Sequence, residues 1–237
     1  LKNTTAVQQL ISIPTVLRLL LDHLEAGGRL QQFQSLGELY DLVCPQLIRN
    51  AAKKVYPAFD NRDARRVGQI MAAVAFAMMS QGHHNAAVSG TKRVEPVEAL
   101  AARICQRGIS DEEWKQVQNI SLSNRSILHG INTEEIAWQH RGMMEYYCGR
   151  FLAQECSDDQ SRSQAMQHIN DVEWHRAWCF AIETEVDDGE HRSSVLSLLF
   201  QQPAEGRRPT ELMFRSWPLL QATQQGQRTL QHFLDLY

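Results

Sequence analysis

The sequence lacks the cysteine and histidine spacings that build a zinc module or a disulfide framework. Its five cysteines are scattered between Cys44 and Cys179, and no two of them form a Cys-x-x-Cys pair. Of the nine histidines, His83 and His84 are adjacent, and neighbouring residues of a regular helix cannot direct two imidazoles at one ion. We therefore predict no bound metal, and we expect reduced, mostly buried thiols in a cytoplasmic protein.

The chain also lacks a membrane-spanning run and an excess of positive charge. Its main apolar stretch, around Met71 to Met79, is far shorter than the ~20 residues that a spanning helix needs, and it predicts a buried helix. There are 24 basic and 27 acidic residues, a balance that argues against a protein built mainly to coat nucleic acid. With 43% hydrophobic residues in 237 positions, the chain is long and apolar enough for a sizeable core.

Common catalytic motifs are missing as well. A phosphate-binding loop needs Gly-x-x-x-x-Gly-Lys-Ser/Thr. The most similar segment, Ser89 to Lys92, has its lysine at the wrong position. There is no Gly-x-Ser-x-Gly elbow, His-Glu-x-x-His pair or glycine-rich dinucleotide turn. The acidic cluster from Glu183 to Asp188 lies beside Gly189, a composition more typical of a solvated turn than of a cation site.

Helical periodicity accounts for most of what is present. Pro14 suits the first turn of a helix, where no amide donor is needed, and leucines repeat behind it as far as Gly27. Ser35 and Glu38 have the spacing of a capping box that opens a second helix, in which Pro45 predicts a kink.

Three further helices have recognisable starts. Asp60 and Asp63 open a long one that Gly82 closes, and Pro96 begins a short one. Ser110 and Glu113 form another capping pair, before a brief helix.

Between these helices and the last third of the chain, the spacing of the apolar residues changes from the helical period to the two-residue period of strands. Residues 126–128 and 135–138 read as two short strands around a turn at His129-Gly130, while residues 82–94 read as a polar loop. Short helices followed by a hairpin are the order of a winged helix. A polar break over residues 157–161 precedes the last third of the chain, in which helical segments are expected around 165–182, 194–200, 210–220 and 230–236. The sequence thus predicts a mainly α fold with a helical domain over 1–60, a winged helix over 61–156 and a C-terminal helical region over 157–237.

The segment after the predicted hairpin carries the main candidate functional residue. His140 lies at a strand-to-helix junction, where free amides and the positive end of a helix favour anions, so it is a candidate phosphate contact. Judged on spacing alone, a capping or buried histidine is the alternative. For Arg141 and Glu145, which are four residues apart, simple pairing on a helix surface is the alternative to a role in a site.

This segment resembles the NACHT branch of the STAND nucleotide-switch ATPases. That family carries an aromatic-x-His-x-x-aromatic-x-Glu-aromatic run, followed by small and apolar residues, in a winged-helix domain after the ATPase core. Upstream, a proline before a leucine-rich helix and a Glu-Leu-Tyr helix mark the family's first helical domain. The matching residues here are Ile13-Pro14, Gly37-Glu38-Leu39-Tyr40, His140, Glu145, Tyr146 and Phe151-Leu152-Ala153, with Met143-Met144 in place of the usual Phe-Gln.

The resemblance implies a regulatory segment whose ATPase core is not in this chain. Pro14 would close over the adenine and His140 would contact the β-phosphate of ADP, both shared with the missing P-loop domain. ATP would then favour an open, oligomerising form that signals. The isolated chain would hold no cofactor and catalyse no reaction. The last third resembles helical segments of some bacterial NACHT proteins, some of which continue into a sulfatase-modifying-factor-like domain. Because the chain begins at Leu1 without an initiator methionine, we expect a fragment of a longer protein.

Two other functions stay open on the sequence. A winged helix is also used to bind DNA, but the acidic Asp111, Glu112 and Glu113 against a single Lys115 would repel phosphates, so nucleic acid is an unexpected partner. The chain is alternatively a helical scaffold for protein partners, with tryptophans as anchors. Those tryptophans are Trp174, Trp178 and Trp217.

Overall fold

A computed structural model describes most of the middle of the chain. The described residues are 36–82, 86–88, 97–105, 107–121, 128–132, 135–138, 140–156, 159–169 and 171–187, with a few single positions at 17, 20, 21, 24 and 231. Pro14 lies outside them, and so do the helices expected after residue 193, apart from position 231.

The described part of the chain is mainly helical, which confirms the predicted fold class. Seven α-helices are present in it, with three short strands. The helices are α1 (Leu36–Ala52), α2 (Asn61–Ser80), α3 (Val97–Ile104), α4 (Asp111–Ser121), α5 (Arg141–Arg150), α6 (Asp159–Gln167) and α7 (His175–Asp187). A π-helix, Phe151–Glu155, continues α5, and a 3₁₀-helix, Val172–Trp174, precedes α7.

Helix α2 forms the centre of the core and starts as predicted. The Oδ1 atom of Asp60 accepts the N–H groups of Arg62 and Asp63 at 2.6 and 3.0 Å, and the Asp63 carboxylate accepts the Asp60 N–H at 3.0 Å. This capping box satisfies amides that lack a helical partner. Gly82, just past the helix, has a φ of 73°, a left-handed conformation that glycine adopts most readily.

Aromatic packing joins α2 to the helices that follow. Every side chain of α2 from Ile70 to Met79 is buried. The ring of Phe76 lies 4.5 Å from that of Phe151 and 5.6 Å from that of Trp174, as measured between centroids. Burying one such large apolar side chain stabilises a fold by about 1.5–3 kcal/mol, so this contact is a substantial part of the core.

An ion pair fixes α4 against α2. The predicted capping pair is present, because Ser110 Oγ accepts the Glu113 N–H at 3.2 Å and the Glu113 carboxylate accepts the Ser110 N–H at 2.9 Å. The same carboxylate accepts a hydrogen bond from Arg66 Nε–H at 2.6 Å. These hydrogen bonds, the one from Arg66 above all, lower the pKa of Glu113 to about 2.

The strands form one small antiparallel sheet that the sequence predicted only in part. Strands β1 (Ala86–Val88), β2 (Leu128–Asn132) and β3 (Glu135–Trp138) lie in the order β1-β3-β2. The expected polar loop is therefore wrong at Ala86–Val88, where three residues are too few to show strand alternation. The expected turn at His129-Gly130 is also wrong, since both residues pair with β3 and the irregularity in register falls between Gly130 and Asn132. Whether helices and sheet form a winged helix stays a prediction.

The last third begins differently from the prediction. The polar break expected over residues 157–161 is wrong from Asp159 onward, because α6 begins there. The helical segment expected from Ala165 to Ile182 is interrupted, because α6 ends at Gln167 and α7 begins at His175. Between them, the Asp171 carboxylate accepts the Glu173 N–H at 3.0 Å and starts the 3₁₀-helix.

A single hydrophobic cluster joins side chains from Leu20 to Ile182. It therefore runs across both expected domain boundaries, and the division into three domains stays a prediction. All five cysteines are thiols that form no disulfide within the described part of the chain, and four of them are buried, as expected. None of the described helices is both long and apolar enough to cross a membrane.

Candidate functional site

His140 connects strand β3 to helix α5. Its backbone is extended, with φ of −148° and ψ of 135°, and its ring nitrogen Nδ1 accepts the Gly142 N–H at 3.1 Å. It is thus the N-cap of α5, a position where a side-chain acceptor satisfies an amide that has no helical partner. The capping role, left as an alternative on the sequence, is present in the structure.

This hydrogen bond determines which ring nitrogen of His140 is available to a ligand. Because Nδ1 accepts, the neutral ring carries its proton on Nε2, which is a donor. Burial, with a smaller contribution from the nearby Arg176 guanidinium, lowers the pKa of His140 below its usual value. The half-buried imidazole is therefore neutral at pH 7 and offers one N–H at the positive end of α5.

Gly142 allows the ring and the helix to approach each other this closely. A Cβ atom at this position would meet the Tyr40 hydroxyl and would lie 3.0 Å from His140 Nδ1. Tyr40 is buried on α1 and stacks on Tyr146 with a centroid separation of 5.2 Å. The start of α5 is consequently packed against α1 as well as capped by His140.

A network of two arginines and two glutamates follows His140. The expected pair between Arg141 and Glu145 is present, with 2.9 Å between Nε and Oε1. Glu145 is only 5% exposed, however, so its carboxylate is buried and the pair does not lie on the helix surface, contrary to the alternative of simple surface pairing. Arg141 also pairs with Glu173, and Arg176 Nη1 lies 3.7 Å from the second Glu145 oxygen.

The network places a desolvated carboxylate between two cations. Burial raises the pKa of Glu145, while Arg176 and Arg141 oppose that rise. Two guanidinium groups balance two carboxylates, so the surroundings of His140 carry little net charge. Such an arrangement can orient the start of α5 and donate a hydrogen bond to an anion. Among the described residues, no group of three or more His, Cys, Asp or Glu side chains could hold a metal ion.

The structure describes only some of the residues that were expected to form the nucleotide site. His140 lies at the start of α5 and Glu145 lies within it, whereas Pro14 lies outside the described residues. Met143 and Met144 are buried, and so are the three residues Phe151-Leu152-Ala153, which belong to the π-helix. This stretch of the motif therefore packs in the core.

Nothing in the sequence indicated that Glu173 and Arg176 lie near the start of α5, and Tyr40 was named in the resemblance but not as a neighbour of this helix. They lie on other elements, and no spacing rule links them to His140, so only the packing of α1 and α7 against α5 reveals them.

The acidic cluster that the sequence placed in a turn has a different role at Glu183. Its Oε2 atom accepts the Gly37 N–H at 2.8 Å, at the start of α1. Helix α7 continues to Asp187, so the expected turn is wrong over Glu183 to Asp187. A carboxylate at the N-terminus of a helix satisfies a free amide and interacts favourably with the helix dipole.

Comparison with models of known protein families, with curated proteins and with solved structures finds no match for this chain.

Proposed function

We propose that this chain is the regulatory segment of a NACHT-type nucleotide-switch ATPase, in which His140 contacts the β-phosphate of bound ADP. The observation that carries the proposal is the neutral imidazole at the N-terminus of α5, whose Nδ1 is used in capping and whose Nε2–H is a donor. Pro14 would close over the adenine, and the other nucleotide contacts would come from the ATPase core, a P-loop domain outside this chain.

The physical basis is the positive N-terminal end of the α5 dipole together with the neutral imidazole of His140, whose Nε2–H can donate to a phosphate oxygen. Free amides at a helix N-terminus favour phosphate, and a hydrogen bond to a charged acceptor contributes about 1.5–3 kcal/mol. ATP in place of ADP would open the closed form only if the two nucleotides differ by a few kcal/mol in their affinity for it. The open form would then assemble into a homo-oligomer for signalling.

The alternatives have less support from the described residues. Trp174 and Trp178 are 2% and 0% exposed, so they are core side chains and not anchors for a protein partner. The first turn of α4 carries Asp111, Glu112 and Glu113, which disfavours its insertion into a DNA groove.

Two substitutions separate the nucleotide contact of His140 from its capping role. Asp is a good N-cap residue, so His140→Asp should keep the fold but place a negative charge against phosphate. His140→Ala should remove both functions. In the full-length parent, we expect both variants to release a fluorescent ADP analogue about tenfold faster or more. Only His140→Ala should also lower the free energy of unfolding, by about 1 kcal/mol.

An unchanged ADP release rate in His140→Asp would reject the proposed contact. The family itself is tested by the coding sequence upstream of Leu1, which should encode a Walker loop and an acidic magnesium-binding strand. If a full upstream reading frame lacks both, the chain is not part of a P-loop ATPase.

A further inference from the structure

A second candidate binding site lies at the other end of helix α5. An open cavity of about 720 Å³ is lined by α1, α2 and the joined α5 and π-helix. Its volume is in the range of small-molecule sites in proteins, which is ~300–1,000 Å³. Arg150 lies nine positions after Arg141, about 14 Å along the helix axis, so this cavity is separate from the N-terminus of α5.

The cavity lining has an unusual charge. Among the residues that the structure describes, three arginines line it, and no aspartate or glutamate does. Each arginine comes from a different helix, so a single helix surface does not account for the cluster. Three carboxamides and two tyrosines add further polar groups. The charged and polar residues of the lining are Arg49, Asn61, Arg65, Gln69, Tyr146, Tyr147, Arg150 and Gln154.

The contacts of Arg150 show how an oxyanion is held beside this cavity. Its Nη1 donates to Asp41 Oδ1 at 2.9 Å and to the Tyr146 hydroxyl at 3.1 Å, and Tyr146 in turn donates to Asp41. Its Nη2 donates to Gln154 Oε1 at 3.1 Å. The guanidinium is therefore fixed in place, yet Nε and one Nη2 hydrogen are not used by these bonds.

Neither of the other two arginines forms an ion pair with a residue in the described part of the chain. Arg49 Nη1 donates to the neutral amide oxygen of Asn61 at 3.1 Å, and the side chain of Arg65 is exposed at the mouth of the cavity. Asp41, next to Arg150, supplies one negative charge against three positive ones. Like charges enclosed together repel, and a bound anion relieves that repulsion.

The backbone around the cavity leaves room for a ligand. Gly68 lies on the cavity face of α2, and a Cβ atom there would meet nothing within 4 Å. On the opposite side, Gln154 belongs to the π-helix Phe151–Glu155, and such irregular turns occur frequently at functional sites.

From these observations we propose that the cavity between α1, α2 and α5 binds a small phosphorylated molecule, with Arg49, Arg65 and Arg150 contacting the phosphate oxygens. Guanidinium groups offer paired donors that match the oxygens of phosphate, and three of them suit a doubly charged group better than a single carboxylate. This site does not depend on the function proposed for His140.

Isothermal titration of the full chain with inorganic pyrophosphate at low ionic strength tests the proposal. We expect saturable binding that weakens as salt is added. Arg65→Gln removes an exposed cavity cation and should weaken binding about tenfold. Gly68→Glu places a carboxylate in the open space and should abolish binding. Arg62→Gln is the matched control, because it removes the same charge from an exposed position of α2 outside the cavity lining.

Each outcome decides for or against the site. Binding that is lost in Gly68→Glu, weakened in Arg65→Gln and retained in Arg62→Gln supports it, provided that the circular dichroism of all three variants matches that of the parent chain. Equal weakening in Arg62→Gln and Arg65→Gln would show unspecific attraction to surface charge and overturn it. Absence of pyrophosphate binding at millimolar concentration, or preferential binding of citrate, would overturn the assignment to phosphate.

Discussion

Helix α5 has two sides with opposite packing. Toward α7, its backbone approaches so closely that a Cβ atom at Gly149 would lie 2.5 Å from Phe180 Cβ and 2.7 Å from the Ala177 carbonyl oxygen. Toward α1 and α2, it borders a cavity of about 720 Å³ in which Gly68 has open space in front of it. The two glycines are both helical, yet one is needed for contact and the other is not.

The difference shows why a glycine in a helix has no fixed meaning. Glycine is unfavourable in a helix interior by about 0.5–1 kcal/mol relative to alanine, whatever surrounds it. Gly149 compensates for that cost through close packing of two helices, which a larger residue would prevent. Gly68 has no such packing, and its cost is consistent with a surface kept open for a ligand.

The largest effect is expected on the closed side, in Gly149→Ala. The atoms that a new methyl group would meet include the backbone of α7, which cannot rotate away, so the helices must separate. Overpacking of this kind costs about 3 kcal/mol. Urea unfolding followed by circular dichroism measures the loss. If the variant were as stable as the parent chain, α5 and α7 would not be in close contact.

An intermediate effect is expected at the start of α5, in Gly142→Ala. Here the new methyl group meets the Tyr40 hydroxyl, which is the end of a side chain and can move more easily than a backbone. We therefore expect the free energy of unfolding to fall by about 2 kcal/mol. Tyr40→Phe removes that hydroxyl and should make the double variant more stable than the sum of the single effects predicts. Strict additivity would show that the hydroxyl is not the obstacle.

The smallest effect, and the opposite sign, is expected on the open side. Gly68→Ala adds a methyl group where nothing lies within 4 Å, so only helix propensity changes. The free energy of unfolding should rise by about 0.5–1 kcal/mol, measured in the same urea experiment. Destabilisation here would mean that the cavity face of α2 is covered, and the contrast between the two sides of α5 would fail.

Local signals in the sequence predicted much of the helical part correctly. The capping boxes at Asp60 and Ser110 are present, because each depends on residues only three positions apart. The start of α5 was predicted from the strand period before it and the helical period after it. The strand at Ala86–Val88 was missed, because pairing with β3 across more than forty residues is what makes it a strand.

The residues of the candidate sites were harder to predict, because most of them come together through contacts between positions far apart in the chain. His140 was found from the sequence because the strand-to-helix junction is local. Its surroundings were not, since Arg176 and Glu173 come from the region before and within α7. The arginines of the cavity are spread over a hundred residues, and each reads as an ordinary solvated side chain in its own helix.

By itself, the sequence determined the helical class, the ends of several helices and the position of His140 at the start of one of them. Those features follow from hydrogen bonds and periodicities that act within a few residues. Only the tertiary structure decided that Glu145 is buried between two arginines, that Gly149 is packed and Gly68 is open, and that three guanidinium groups share one cavity. Burial and electrostatic fields are sums over side chains brought together by folding, and no short segment contains them.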